Sequence, residues 1–461
     1  MVGISLRKQR MEFGLSQSKL ADITGIQQAR LSAFELQKQE LTSKEKEIIK
    51  KSLASLDKGK IEALKKKRYR EHIKDGSTIS SRPRRGYSKT LRNNEYLSLL
   101  SELENKFNSQ SKNNPKAISF FAGCGGLCYG MKAAGFNIVA TNELVDAYKK
   151  IYSENFSGVE FLSNDITEIK DSDIKNIIEK QGAIDLMIGG PPCQGFSLAG
   201  KRDVNDSRNT LFQNYLHIAS IIKPKIILME NVRLLTSMKD PNGEYVSKRI
   251  LDTFKLIGYN CEFFTINAKD YGVPQHRERV IFIGVREGLS ESPTIPMPEY
   301  GVENNLFSKE KPYFTFGDAV SDLEFIESGE CCNSDKYHKA VNHPEHVIKW
   351  LIDVPEGKSA HENKDKLLRP PSGYNTTYKR QVWNEPAGTV ATTYGMISGC
   401  RNVHPIATRA LTTREALRLQ SFPDSFKLTG KMGDIRTTIG NAVPPLLAYV
   451  LGDHIKRTYI L

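Results

Sequence analysis

The chain contains no run of eighteen apolar residues, so no segment of it is predicted to cross a membrane. Its first residues lack the long apolar stretch and small-residue cleavage site of a signal peptide, which makes a cytoplasmic protein the expectation. The seven cysteines include no CxxC pair, which argues against a disulfide framework and against a zinc site. We expect no bound metal, and we expect most of the thiols to be buried and inert.

An excess of positive charge is confined to the first quarter of the chain. Residues 1–116 contain 26 Lys and Arg against 13 Asp and Glu, whereas the remaining 345 residues contain 40 of each. A basic segment on a neutral body indicates a polyanionic partner such as nucleic acid, although a solvated linker would have the same composition. The length of 461 residues predicts two or three domains.

Residues 1–57 are predicted to form an all-α domain. In LSQSKLADITGIQQARLSAFE, Ser16 can cap a first helix, Gly25 suits a tight turn, and a second helix begins near Gln27. This layout resembles the helix-turn-helix of phage-repressor-like domains, whose second helix enters the DNA major groove. The residues expected to contact DNA are Gln17, Gln27, Gln28 and Arg30. A helical bundle without a DNA role is the alternative. Residues 58–116 are interpreted as a basic linker with some helix.

From residue 117 the pattern changes to strands alternating with helices, which predicts a doubly wound α/β domain over residues 117–285. Residues 286–385 interrupt that alternation and are interpreted as an inserted, smaller domain. Residues 386–461 return to the α/β domain and end in an amphipathic helix. The predicted strands lie in AISFFAG, FNIVATNE, IDLMIGGPP, KIILMENV and RVIFIGV.

A glycine-rich turn follows the first predicted strand of the α/β domain. Gly123, Gly125 and Gly126 stand between that strand and a helix, where glycines let the backbone approach a ligand closely. Glu143 ends the second strand and can accept hydrogen bonds from both hydroxyls of a ribose. The pattern favours a nucleoside-containing ligand, and a cluster of packing glycines is the alternative.

A candidate nucleophile ends a later strand. Cys193 follows two prolines, which rigidify the approach to a thiol at the carboxyl end of that strand. The next strand ends in Glu230, and the two arginines of QHRER, Arg277 and Arg279, alternate on one side of an extended segment. A buried, inert thiol and a structural ion pair are the alternatives for these residues.

The order of these motifs identifies a resemblance. FFAGCGGL, GGPPCQGFS, MENV, PQHRER and IGNAVPP occur in the order and spacing of the DNA (cytosine-5)-methyltransferases, over residues 117–285 and 386–461. PPCQ followed by ENV, QxRxR and GNAVPP is very specific. The chain departs from many members at Ser119, where Asp is common, and at Leu144, where an aromatic residue is common. These departures affect cofactor contacts rather than the chemistry.

The resemblance implies a methyl transfer from S-adenosylmethionine to carbon 5 of a cytosine that is flipped out of duplex DNA. It implies that Cys193 adds to carbon 6, that Glu230 binds N3 and the exocyclic amine, and that Arg277 and Arg279 assist. The implied cofactor contacts are Phe121, Gly123, Gly125, Gly126, Glu143, Asp165, Ile166, Pro191 and Asn441. Residues 286–385 would then be the target-recognition domain, of unknown DNA sequence preference.

Two other functions share part of this pattern. A transfer-RNA cytosine methyltransferase has the PPCQ and ENV motifs, and a transcription regulator could retain the fold without activity. The repressor-like N-terminus and the large insertion favour DNA over transfer RNA. The combination is typical of the modification enzyme of a bacterial restriction–modification system, and we expect association with the nucleoid. Our hypothesis is that the first 57 residues bind the enzyme's own promoter or that of a companion endonuclease. Monomer and dimer are equally compatible with the sequence.

Overall fold

The computed structural model describes residues 6–7, 9–10, 17–54, 95–111, 113–192, 211–240, 243–289, 292–301 and 311–461. Cys193, Ser16 and most of the predicted basic linker lie outside the described residues. The chain divides into two compact units, Met1–Arg84 and Arg85–Leu461, and each is described by itself. Within the described residues, no helix is both long enough and apolar enough to span a bilayer.

The described part of the N-terminal unit is helical. Its helices are α1 (Gln17–Thr24), α2 (Gln28–Glu35) and α3 (Ser43–Ala54). Gly25 takes the left-handed conformation, with φ of 72°, in the short connection between α1 and α2. Leu20, Leu31 and Phe34 are buried in a common apolar core, as the helical spacing predicts. The layout of two short helices around a glycine turn is therefore confirmed.

A buried carboxylate joins the helices of this unit. Glu35 on α2 accepts hydrogen bonds from Arg10 at 2.7 and 2.9 Å and from Gln17 on α1 at 2.8 Å. Burial raises the pKa of Glu35, but the hydrogen bonds from Arg10 and Gln17 outweigh that effect and hold the pKa below its ordinary value. Gln17 thus has a structural partner within the unit.

A seven-stranded sheet forms the centre of the second unit. The strands are β1 (Lys116–Phe120), β2 (Asn137–Thr141), β3 (Glu160–Phe161), β4 (Leu186–Gly189), β5 (Ile226–Val232), β6 (Tyr259–Asn267) and β7 (Glu278–Arg286). Their order is β3-β2-β1-β4-β5-β7-β6. The first five strands in this order pair with one another in parallel, and β7 runs antiparallel between β5 and β6. The predicted α/β sheet is confirmed.

The composition of the central strands explains their position. Strands β1, β4 and β5 consist largely of Ile, Leu, Met, Phe and Ala, and apolar cores cover the sheet on both faces. In the described residues of this unit, the α-helices are α4 (Glu95–Asn108), α5 (Gly126–Ala133), α6 (Asp146–Asn155), α7 (Asp171–Gln181), α8 (Leu211–Ile222), α9 (Val246–Leu256), α10 (Phe316–Val320), α11 (Glu345–Leu351), α12 (Thr413–Leu419), α13 (Met432–Asn441) and α14 (Pro445–Ile455). A π-helical turn, Lys456–Ile460, follows α14.

Helix α4 lies in the segment that the sequence assigned to the basic linker. Four of its large side chains are buried in the main core: Tyr96, Leu100, Leu103 and Phe107. The Phe107 ring stacks on Tyr129 of α5, with ring centroids 3.9 Å apart. Lys106 donates a hydrogen bond to the Tyr449 hydroxyl of α14 at 2.6 Å. The end of the predicted linker is therefore part of the α/β unit.

In the described residues after β7, the elements are short helices and isolated bridges rather than extended strands, in keeping with the interruption seen in the sequence. A small apolar cluster here contains Val347, Leu351, Val354 and Ala360 together with Ile397, Val403 and Ala410. The cluster thus takes side chains from both sides of residue 385. The domain boundaries proposed from the sequence stay predictions, and this packing favours a later end for the inserted region.

Candidate active site

The glycine turn after β1 depends on its glycines. Gly123 and Gly125 have φ of 58° and 94°, and Phe121 before them is also left-handed, with φ of 57°. A Cβ on Gly125 would lie 2.4 Å from the Phe156 ring, and one on Gly126 would lie 2.3 Å from the Val443 carbonyl oxygen. The turn therefore packs tightly on its inner side. A Cβ on Gly123 would meet nothing closer than 3.6 Å, so the backbone is open there.

Glu143 connects this turn to the end of β2. Its carboxylate accepts hydrogen bonds from the Gly123 N–H at 2.7 Å and from the Val145 N–H at 2.8 Å. Burial raises the pKa of Glu143 above its ordinary value, while the backbone N–H groups of Val145, Gly123 and Leu144 act in the opposite direction. Each carboxylate oxygen retains a lone pair, so the group can still accept hydrogen bonds from a ligand.

The remaining predicted cofactor residues lie around the same end of the sheet. Asp165 caps the turn that contains buried Ile166, and Asn142 beside Glu143 donates hydrogen bonds to the carbonyl groups of residues 163 and 164 at 2.6 and 2.7 Å. Asn441 is the last residue of α13 and is exposed. The chain that follows it packs against the glycine turn, through the Val443 carbonyl.

Side chains of strand β5 contact the segment that follows β4 and leads to Cys193. Pro191 is buried beyond the end of β4, and its carbonyl accepts a hydrogen bond from the Asn231 side chain at 2.8 Å. A Cβ on Gly190 would lie 3.2 Å from Glu230 Oε2. The chain thus passes directly beside Glu230 three residues before Cys193, and Cys193 itself lies outside the described residues.

Glu230 and Arg279 form an ion pair at this point. Arg279 Nε lies 2.7 Å from Glu230 Oε1, and both side chains are about seven-eighths buried, with 13% and 12% exposure. The two residues come from neighbouring antiparallel strands, in which Glu230 is paired with Ile281 and Arg279 with Val232. A ligand that formed a hydrogen bond with Glu230 would therefore also lie beside the Arg279 guanidinium.

Arg277 has a different environment, although it lies only two residues from Arg279. Its side chain is fully buried and donates hydrogen bonds to the carbonyl oxygens of Gly440 at 2.9 Å and Val390 at 3.3 Å. Burial, and then the charge of Arg279, lower the pKa of Arg277 well below its ordinary value, with Glu230 opposing them. Its contacts are those of a residue that positions the segment before Asn441.

Gln275 and Asn231 were given no role from the sequence. Gln275 is fully buried, donates to the Leu419 carbonyl at 2.7 Å, and accepts the Val390 N–H at 3.1 Å. The alternation of Gln275 with Arg277 in the sequence was the pattern that could have indicated a buried position for Gln275.

Among the six described cysteines, Cys124, Cys128 and Cys332 are buried, whereas Cys331 and Cys400 are exposed. The expectation that most thiols are buried therefore holds for half of those six.

A comparison with known proteins shows the family to which the chain belongs. Residues 115–457 match the family model of the C-5 cytosine-specific DNA methylases, which is well over half of the chain. The chain belongs to this family. It is a DNA (cytosine-5)-methyltransferase, of enzyme class EC 2.1.1.37, and its methyl donor is S-adenosylmethionine.

Individual relatives agree with the family. The Type II methyltransferase M.DdeI of Desulfomicrobium norvegicum is 33% identical over 381 residues, which cover 74% of this chain and 88% of that protein. M1.HphI of Haemophilus parahaemolyticus is 35% identical over 346 residues, covering 74% of this chain and 86% of that one. A crystal structure described as a DNA modification methyltransferase encoded within a prophage, from E. coli, matches with a TM-score of 0.58 at 24% identity. It covers 74% of this chain and 99% of its own, and shows the same fold.

The glycine turn fits the methyl donor of the family. The open backbone at Gly123 leaves room for a ligand, and Glu143 offers a buried carboxylate that can accept hydrogen bonds from the ribose hydroxyls. Phe121, Gly125 and Gly126 belong to the same turn. The individual contacts of these residues with the donor stay predictions.

In the N-terminal unit, the four predicted DNA-contacting residues differ in their surroundings. Gln27 and Gln28, at the start of α2, are exposed. Arg30 forms an ion pair with Glu45 of α3 at 2.7 Å, and Gln17 donates to Glu35 at 2.8 Å. Gln27 and Gln28 are therefore the pair whose side chains are available to a partner in this structure.

Proposed function

We propose that this family member methylates cytosine within a specific duplex sequence by adding the Cys193 thiolate to carbon 6 of a flipped base. The observation that supports this most directly is the Glu230–Arg279 ion pair beside Gly190, three residues before Cys193. A carboxyl group and a guanidinium can hold a cytosine ring, and a thiol can attack it, so the proposed reaction needs Glu230, Arg279 and Cys193.

Each residue has a separate part in the proposed reaction. The Cys193 sulfur forms a bond to carbon 6, and the electron pair of the 5,6 double bond makes carbon 5 nucleophilic. Glu230 binds N3 and the exocyclic amine, and a proton that it shares with N3 neutralises the charge that develops as sulfur adds. Arg279 keeps the Glu230 carboxyl group oriented. When bound, S-adenosylmethionine would supply an electrophilic methyl group, which carbon 5 would take as the bond between that methyl group and the donor sulfur breaks.

The reaction ends when the methylated cytosine loses a proton and the enzyme thiolate. A proton acceptor takes the proton from carbon 5, and the electron pair of that C–H bond reforms the double bond as the Cys193 thiolate departs. The aromatic ring is restored and the enzyme is regenerated. Because carbon 6 is inaccessible inside a duplex, the cytosine must first be flipped out, at a cost of a few kcal/mol.

Labelled S-adenosylmethionine and unmethylated genomic DNA test this proposal. The wild-type chain should methylate carbon 5 within one short sequence, as mapped by bisulfite sequencing, and Cys193→Ala should abolish the label. Cys331→Ala, at an exposed cysteine, is the matched control and should retain full activity. Retained activity in Cys193→Ala would reject the covalent mechanism. Label on transfer RNA instead of DNA would reject the proposed substrate, and label on neither would favour the regulator interpretation.

We further infer that the enzyme belongs to a restriction–modification system and that its N-terminal unit binds promoter DNA. Its relatives M.DdeI and M1.HphI carry the description Type II methyltransferase. The exposed Gln27 and Gln28 at the start of α2 support the second part, because amide side chains can form paired hydrogen bonds with adenine.

Deletion of residues 1–57 separates the two activities. The shortened enzyme should keep its methylation rate and lose repression of a reporter driven by its own promoter. Gln28→Ala in the full chain should weaken repression without affecting methylation, and exposed Gln39→Ala serves as the control. Loss of methylation on deletion would instead assign residues 1–57 to catalysis or folding.

A further inference from the structure

A polar groove continues from the Glu230–Arg279 ion pair along the surface of the second unit. Its volume is about 480 Å³, and the residues that line it include Arg233, His276, Glu278, Arg279 and Arg401. Arg279 thus belongs both to the ion pair and to the wall of the groove. A ligand that extends beyond the base at Glu230 would enter this groove.

The three arginines of the groove differ in their partners. Arg279 pairs with Glu230 and Arg233 pairs with Glu278, each at 2.7 Å. Within the described part of the chain, the Arg401 guanidinium has no carboxylate within 4.0 Å. The positive charge of Arg401 also contributes, after burial and Lys269, to lowering the pKa of His276. Among the described residues of the groove, Arg401 is therefore the arginine without a carboxylate partner.

The backbone holds Arg401 in an unusual conformation. Its φ is 50°, in the left-handed region that disfavours residues with a Cβ. Its N–H donates to the Thr376 carbonyl at 2.9 Å, and its carbonyl accepts a hydrogen bond from the Gln381 side chain. A Cβ on Gly388 would lie 3.1 Å from Arg401 Cδ, so the glycine makes room for the arginine stem. Strained residues that are held in place in this way are concentrated at binding sites.

An exposed loop is attached to Arg401 through that Thr376 hydrogen bond. Residues 371–376, PSGYNT, are all exposed, and Tyr374 is 80% exposed. The loop is anchored at Thr377, whose carbonyl accepts a hydrogen bond from Ser359 Oγ at 2.7 Å and whose hydroxyl contacts His361 Nε2 at 3.1 Å. The loop therefore offers a large aromatic side chain, and its last residue is hydrogen-bonded to the backbone of Arg401. An aromatic ring is suited to contact with nucleobases, and a guanidinium is suited to contact with phosphate.

We propose that Arg401 binds a backbone phosphate of the DNA strand next to the target cytosine, and that the loop 371–376 reads the adjoining base pairs with Tyr374. This assignment rests on the proposed function, because it places the flipped base at Glu230. It gives separate tasks to two neighbouring features: the guanidinium holds the strand in register, and the loop discriminates sequence.

Arg401→Gln in the full chain tests the phosphate contact. We expect kcat/KM for duplex DNA to fall roughly ten-fold on all substrates alike, because a charge-assisted hydrogen bond is lost. The slope of log kcat/KM against log salt should become shallower by about 0.9, the value for one phosphate. Arg457→Gln is the matched control, since Arg457 is exposed on the terminal π-helical turn and is absent from the groove. Comparing variants of the full chain cancels any contribution of the N-terminal unit to the slope.

Tyr374→Ala tests the reading loop, and the methylated sequences of the variant are mapped by bisulfite sequencing. We expect methylation at sites that differ from the wild-type sequence by one base pair, with the salt slope unchanged. An unchanged salt slope in Arg401→Gln, or an unchanged site in Tyr374→Ala, would overturn the corresponding assignment. Neither result could be confused with failure of the proposed function, because that failure would leave the wild-type enzyme without DNA methylation.

Discussion

At the scale of single residues, the two arginines of QHRER show how similar positions acquire different roles. Arg279 contacts Glu230 at 2.7 Å, whereas Arg277 is buried and holds the carbonyl groups of Val390 and Gly440. A guanidinium can serve two carbonyl oxygens at once because its donors form a rigid fork, and a lysine ammonium cannot reproduce that geometry. The Arg277 substitution should therefore affect folding, and the Arg279 substitution should affect turnover.

The paired variants Arg277→Lys and Arg279→Lys test this difference. We expect Arg277→Lys to reduce the free energy of unfolding by about 2 kcal/mol, because one buried carbonyl loses its partner. Arg279→Lys keeps a positive charge beside Glu230, so it should change stability less than Arg277→Lys does. It should lower kcat about 100-fold, because Glu230 is no longer held by a guanidinium in the transition state. Urea unfolding and single-turnover methylation measure the two quantities. Equal effects of both variants on stability would contradict the assignment.

Glu143 provides a second prediction at this scale. Its substitution by Gln places an amide NH₂ against the N–H of Gly123 or Val145, each of which now donates to a carboxylate oxygen. We expect the KM for S-adenosylmethionine to rise between about 10- and 100-fold, with a smaller change in kcat, because hydrogen bonds to a charged group are lost. Glu154→Gln, on the exposed side of α6, is the control. An unchanged KM for S-adenosylmethionine would show that Glu143 does not bind the cofactor.

The sequence predicted a set of site residues but not how their contacts differ. Glu230, Glu143 and the glycines follow predicted strands, and the carboxyl ends of parallel strands meet at one edge. The contacts of Arg277 could not be predicted, because its partners Val390 and Gly440 are more than one hundred residues away in the chain. Arg401 lies in no recognised motif, and its role depends on folding beside Gly388.

At the scale of elements, strand β6 was not predicted. Its sequence YNCEFFTIN has polar residues within it, and it lies at the edge of the sheet with several exposed side chains. The central strands were predictable because burial on both faces makes them continuously apolar. The short helix α12 illustrates the same dependence on context: seven residues form little helix alone, and α12 is held by buried Glu415, which pairs with Arg409 at 2.7 and 2.9 Å.

The network around α12 also predicts a dependence of stability on pH. The Ala410 N–H donates to His343 Nε2 at 3.1 Å, so His343 must be neutral there, and burial together with the charge of Arg409 lowers the pKa of His343 to about 4. Because the unfolded chain binds this proton near pH 6.5 and the folded chain only near pH 4, stability falls as the pH falls between these values. We expect a loss of about 2 kcal/mol at pH 5 relative to pH 7.5.

Urea unfolding of the wild type and His343→Gln at the two pH values measures this contribution. Glutamine can accept the Ala410 hydrogen bond and does not titrate, so the variant should lose less stability on acidification. His404, whose pKa is lowered by burial and then by Arg409, should leave a residual dependence. His217→Gln, at an exposed histidine of α8, should behave like the wild type. Equal acid sensitivity of the His343 variant would show that this residue does not contribute.

At the scale of the whole molecule, helix α4 belongs to the catalytic unit and extends that unit on its N-terminal side. It precedes the segment that matches the family, residues 115–457, yet Tyr96, Leu100 and Phe107 are buried in the main core. The sequence placed α4 in a linker because the surrounding composition is basic and polar. Its own apolar residues at spacings of three and four were the available signal, and they predict a helix with one buried face.

Truncation tests whether α4 is part of the enzyme or an appendage. A chain of residues 85–461 should fold and retain methylation, whereas a chain of residues 115–461, close to the family match, should not fold. Each fully buried large apolar side chain stabilises by about 1.5–3 kcal/mol. The loss of four is therefore comparable with the whole stability of a typical domain, about 5–15 kcal/mol. In the full chain, Leu100→Ala should cost about 2–5 kcal/mol in urea unfolding, and exposed Asn105→Ala should change little. If residues 115–461 unfold with the same stability as residues 85–461, α4 is dispensable and its packing on α5 and α14 adds no net stability.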